Sequence, residues 1–120
     1  MDQTGKINYI EMPSTNLAVT KSFFAEAFAW KFVDYGEEYV ALQDAGIDGG
    51  FYLFDKPALA ENGSVLVVLY SDLLEQTRDK VKSCGAKISQ DIFSFPGGRR
   101  FHFIDPTGNE FAVWSDKEGA

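Results

Sequence analysis

A chain of 120 residues is the size of one ordinary domain, and with 45% hydrophobic and 15% aromatic residues, eleven of them Phe, it can build a packed core. A formal net charge of −7 excludes nucleic acid as a partner, because phosphate recognition needs clustered Lys and Arg and the one basic cluster is Arg99-Arg100. No apolar run is long enough to cross a bilayer, so membrane insertion is not expected either.

The N-terminal "MDQTGKINYIEM" lacks a basic segment followed by an apolar one, so no signal peptide is evident. With a single cysteine, Cys84, no intrachain disulfide can form, and the expected compartment is the cytoplasm. The first strand is predicted over 6–12, and a helix opens at the capping residue Asn16 with Leu17, Thr20, Phe24, Ala27 and Phe28 on one face. Strands follow at 31–35 and 39–43 around a turn at 36–38, then at 49–54; Asp48-Gly49-Gly50 reads equally as a tight turn or a bulge. Residues 55–63 form a linker that would also serve as a lid. The apolar run 64–70 reads as a buried strand. A second helix follows the capping pair Ser71-Asp72, with Leu73, Thr77, Val81 and Cys84 as its apolar stripe and Gly85 at its C′ position. Cys84 is thereby assigned to core packing. Strand 86–93, a flexible turn at 95–98, and the two arms of "RRFHFIDPTGNEFAVW" complete about eight strands.

The chain says the same thing twice. Leu17 aligns with Leu73, Lys31 with Lys87 and Phe32 with Ile88, each 56 residues apart, and three strands follow each helix. The order is βαβββ twice: module one over about 6–54 and module two over about 64–115. Each module makes a sheet with a helix on one face and the other face free.

The only histidine, His102, can be placed by the turn after it. Asp105-Pro106-Thr107-Gly108 reads as a type I turn with a glycine bulge, which pairs Asp105 with Asn109. The register then sets His102 against Ala112, Arg100 against Trp114 and Phe103 against Phe111. Phe101, Phe103, Phe111 and Val113 share the helix face; Arg100, His102, Ile104, Glu110, Ala112 and Trp114 share the free one.

The βαβββ repeat, "FFAEAFAWKF" and the closing "FIDPTGNEFAVW" together resemble the vicinal oxygen chelate superfamily, the group of glyoxalase I, bleomycin-resistance proteins and extradiol dioxygenases, and within it the small glyoxalase-like members. The resemblance runs from about Ile7 to Trp114. It implies an α+β fold of two modules forming curved mixed sheets with helices on the outer face. It also implies a homodimer whose cavities are built from paired modules, sometimes from different subunits. In the catalytic members it implies a metal held by His or Glu, one each from strands one, four, five and eight. Carried onto this chain, those positions fall on Tyr9, on one of Gly50, Phe51 and Tyr52, on one of Ser64, Val65 and Leu66, and on Ala112. None is His, Asp, Glu or Cys, so no metal or other cofactor is expected at the usual site, and lactoylglutathione lyase chemistry loses its ligands.

Alternation places Tyr9 and Glu11 on the free face of strand one and, with Leu66 at the ligand position the resemblance implies, Leu66, Val68 and Tyr70 on that of strand five. With Tyr52, Arg100 and Trp114 these make an aromatic pocket with a few charges. Three roles compete. The first is binding of a small aromatic or cationic molecule, with Trp114, Tyr9 and Phe54 as stacking surfaces and Glu11 favouring a cation. The second is metal-free lyase or isomerase chemistry, with Glu11 as base, His102 as acid and Arg100 steadying an anionic intermediate. The third is a displaced divalent-metal site of His102, Glu11 and a partner-chain residue.

Overall fold

The computed structural model describes residues 3–119. Its elements run β1 (Tyr9–Ser14), α1 (Leu17–Phe28), β2 (Lys31–Asp34), β3 (Tyr39–Gln43), β4 (Asp48–Leu53), a 3-10 turn (Ala60–Asn62), β5 (Val67–Tyr70), α2 (Leu74–Ser83), β6 (Lys87–Phe95), β7 (Gly98–Ile104) and β8 (Glu110–Ser115). Each half is a four-stranded mixed sheet, in the orders β1-β4-β3-β2 and β5-β8-β7-β6. In both, the first strand pairs in parallel with the last, and the other pairings are antiparallel.

The first strand lies later than its pattern suggests, at Tyr9–Ser14 and not 6–12, and it includes Pro13. Pro13 is tolerated because β1 is an edge strand, where a missing N–H costs no ladder bond. Asp48, Gly49 and Gly50 are strand, neither turn nor bulge. Strand five is shorter than expected, Val67–Tyr70, which leaves Leu66 half-buried just before it.

One apolar core joins the halves. Phe24 of α1 stacks on Trp30 at 4.5 Å and on Phe51 of the first sheet at 5.7 Å, and meets Phe111 of the second sheet edge-on at 5.0 Å. Phe23, the neighbouring residue, packs on Phe103 at 5.8 Å. Aromatic pairs of this kind contribute about 1 kcal/mol each beyond the area they bury.

The two modules share a clasp. Ser14 Oγ lies 2.7 Å from Thr20 Oγ1 and accepts from Asn16 N; Ser71 Oγ lies 2.7 Å from Thr77 Oγ1 and accepts from Leu73 N. These pairs are 57 residues apart, which corrects the offset of 56 across the helices. The buried residue that matches Leu17 is Leu74, 1% exposed, whereas Leu73 is 53% exposed and stands at the N-cap with no side-chain cap. Asn16 does cap α1, its Oδ1 accepting from Val19 N. The offset returns to 56 at Lys31 and Lys87 because α2 and its exit are together one residue shorter than α1 and its exit.

A second tie crosses between modules. Asn109, 2% exposed, donates from Nδ2 to Pro13 O at 2.6 Å, and its Oδ1 accepts from Ala58 N of the linker at 2.8 Å. Thr15 Oγ1 donates to Thr107 O. The linker is therefore strapped onto the Asp105–Asn109 turn.

Candidate functional site

The hairpin register is as the turn predicts: Ile104 against Glu110, Phe103 against Phe111, His102 against Ala112, Arg100 against Trp114. Asp105 N donates to Asn109 O, and Gly108 N to Asp105 O. Gly108 has φ +100, the left-handed bulge position that suits glycine. His102 thus stands on the face turned away from the helices, but it is only 3% exposed. Its Nδ1 lies 3.0 Å from Glu110 Oε2, and the Phe93 ring lies over it, centroids 6.0 Å apart and planes at 28°. Its Nε2 is buried with no hydrogen-bond partner.

Phe93 owes its place to two extra residues in β6. The register slips between Ile88 and Gln90 and again between Gln90 and Phe93. Such bulges re-aim side chains. Here they bring Phe93 and Phe95 beside Arg100, whose guanidinium carbon lies 5.5 and 5.9 Å from the two ring centroids. Trp114 continues the surface, 6.4 Å from Phe95 and 5.2 Å from Tyr70. Tyr70 Oη lies 2.5 Å from Asp116 Oδ1 and 2.8 Å from Asp72 Oδ1, its one proton shared between the two carboxylates. Those two bonds, the one to Asp116 first, hold its phenol well above the ordinary tyrosine range.

The open face of the first sheet is built around Gly50. A Cβ there would lie 2.2 Å from Tyr39 Oη and 2.7 Å from Val40 O, so only glycine lets the phenol lie across β4. Tyr39 Oη is 2.5 Å from Tyr9 Oη and also engages Glu11. Burial, then the bonds to Tyr9 and Glu11, pushes the Tyr39 phenol above its usual range. Beside it lies a cleft of about 500 Å³ lined by Tyr9, Val33, Tyr35, Tyr39, Ala41 and Gln43. Tyr52, on the same face, has Phe54 at 6.0 Å.

Glu11 and His102 stand on different sheets, with no hydrogen bond or ion pair between them. Glu11 turns to Tyr39, and His102 to Glu110. Arg99, on the helix side, holds Glu75 through two bonds, the shorter 2.5 Å, and this holds the Glu75 carboxyl below its ordinary range. Cys84 is half-buried and burial raises its thiol, as core packing implies. A separate groove of about 450 Å³ runs between β1 and β5, lined by Ile10, Phe28, Trp30, Leu42, Val67 and Leu69. Asp44 and Tyr70 are its polar side chains, whereas the open faces gather most of the exposed aromatic rings and are the better candidate.

The sequence model of the Glyoxalase/Bleomycin resistance protein/Dioxygenase superfamily matches residues 6–113. The chain belongs to this superfamily. Similar crystal structures include a glyoxalase-related enzyme from Fulvimarina pelagi, at 18% identity and TM-score 0.75, covering 92% of this chain and 88% of that one. A lactoylglutathione lyase from Agrobacterium tumefaciens shows 16% identity and TM-score 0.70, covering 95% and 96%. TnmS3, an antibiotic binding protein from Streptomyces sp. CB03234, shows 18% identity and TM-score 0.69, covering 96% and 98%. Among curated proteins, no sequence matches significantly.

The metal-ligand positions of the superfamily's catalytic members can now be placed. Phe51 turns into the core, and the repeat sets Gly50 level with Ala112, since Gly50 pairs with Glu11 and Ala112 with Val68. A phenol already bonded to Tyr39, a glycine, Leu66 and a fully buried methyl do not fit a divalent ion. Among the described residues no three of His, Cys, Asp and Glu stand close enough to hold one. The residues that sequence reasoning passed over are Phe93 and Tyr39. The first is hidden by the slipped register of β6; the second was legible as the residue opening β3.

Proposed function

We propose that this superfamily member binds a small aromatic molecule on the open faces of its sheets, and that two copies of the chain close over that ligand. The carrying observation is where the aromatic side chains are left. Tyr9, Tyr35, Tyr52, Phe54, Tyr70 and Phe93 are exposed on or beside these faces, with Tyr39, Phe95 and Trp114 half-buried there, while Phe23, Phe24, Trp30, Phe51, Phe101, Phe103 and Phe111 fill the core. An aromatic surface studded with a few oriented polar groups is the composition of a ligand pocket. The structural likeness to an antibiotic binding protein supports the reading. The ligand set at Tyr9, Gly50, Leu66 and Ala112 supports metal-independent binding. Among the described residues no helix is long and apolar enough to cross a membrane. A half-buried free thiol at Cys84 suits the reducing cytoplasm.

One observation favours a second reading, acid–base chemistry of the lyase or isomerase kind. Glu110 on Nδ1 fixes the His102 ring and leaves Nε2 unbonded beneath Phe93, an arrangement that serves proton transfer once that ring swings aside. Glu11 would join it only across a subunit boundary, module one of one copy facing module two of the other.

A thermal-shift screen of aromatic small molecules, with and without Ni²⁺ or Zn²⁺, tests the proposal. Stabilisation by a ligand without metal, lost in Trp114→Ala, is expected. Stabilisation that requires metal would overturn it.

A further inference from the structure

Three arginines occur in the chain, and two are paired: Arg78 with Asp79 and Asp91, Arg99 with Glu75. Arg100 has no carboxylate within ion-pair distance among the described residues, although acidic residues outnumber basic ones by 18 to 11. It is held instead by Phe93 and Phe95. Stacking fixes the guanidinium plane and satisfies none of its N–H donors, so its fork stays available to a planar acceptor. Arg100 Nε is buried without a partner, and so is His102 Nε2, two residues along the same strand face and under the same Phe93 ring. An unsatisfied buried N–H is costly, and that of Arg100 Nε marks a place where an acceptor belongs. Trp114 and Tyr70 extend an apolar wall away from the charge.

We infer that the open face of module two is a site for an aromatic carboxylate, its anionic end on Arg100 and its ring against Trp114. The inference rests on the ligand-binding reading and adds to it the charge of the ligand. The negative molecule repels anions at long range, which makes a local, pre-organised guanidinium the element that selects them.

The test uses ¹⁵N-labelled full chain and the probes 2-naphthoate and 2-naphthamide, identical in shape and different in charge, read at the two indole N–H signals. The Trp114 signal reports the site; the Trp30 signal, from the core, reports that a variant has folded. The carboxylate is expected to bind about tenfold or more tightly than the amide, the ratio expected for one charge-assisted hydrogen bond. Arg100→Gln is expected to collapse that ratio to near unity, and Phe93→Leu, which keeps the charge, to reduce it. Equal affinity for both probes in the unaltered chain, or a carboxylate preference that survives Arg100→Gln, overturns the inference and leaves the binding reading standing. If neither probe moves the Trp114 signal, both fall.

Discussion

Asp105 shows how much one side chain is asked to do. Its Oδ1 accepts from Thr107 N, Thr107 Oγ1 and Asn109 N at 2.8 to 3.0 Å, and that constraint shapes the turn which sets the hairpin register. Its Oδ2 is buried and unpartnered, and burial raises the carboxyl above its ordinary value despite those bonds. A proton held more tightly in the folded state means that stability is greatest below the unfolded carboxylate value, about 3.9, and falls as pH rises through the folded value. Asp105→Asn carries no such proton. Its stability relative to the unaltered chain should therefore improve as pH rises across that window, measured by urea unfolding at a series of pH values; the opposite slope would contradict the assignment. Asp105→Ala, which strands three donors, should cost about 3 kcal/mol.

Between elements, the repeated Ser–Thr clasp ties the end of each module's first strand to its helix. Ser14 and Thr20 are fully buried, while Ser71 and Thr77 are half-buried. Ser14→Ala should then cost about 2 kcal/mol by leaving a buried hydroxyl unpaired, and Ser71→Ala less than half as much, because water reaches its partner. Equal losses in denaturant titrations would show that the clasps are not graded by burial. What could be read in advance follows from local geometry. The Asp-Pro-Thr-Gly turn fixed the partners of every residue in β7 and β8 by bonds within five residues, so the face of His102 was legible. Its burial was not, since that depends on Phe93, and two extra residues in β6 leave no local pattern to announce them. Adjacent leucines at 73 and 74 fit a helical stripe equally well, and packing against the sheet chose Leu74. The faces taken by Tyr9, Glu11, Val68 and Tyr70 were legible from alternation. The separation of Glu11 and His102 was not, because alternation says which face a residue takes and nothing about which sheet lies opposite.

At the scale of the whole molecule, each sheet is covered by a helix on one side and leaves aromatic groups to water on the other. Module one's open face exposes Tyr9 and Tyr52, and module two's exposes Tyr70 and Phe93, so the two faces match in aromatic surface. Association of two copies would bury both and shelter the ligand between them. Sedimentation velocity should therefore give twice the chain mass, and Tyr52→Glu should shift the chain toward monomer; a monomer at all concentrations would contradict the closure of two copies. The most direct test of ligand recognition by these faces is a calorimetric titration of an aromatic carboxylate before and after exhaustive chelation of the protein. Unchanged affinity after chelation, lost in Trp114→Ala, is the expected result. Affinity that disappears with chelation and returns on adding Zn²⁺ or Ni²⁺ would contradict it.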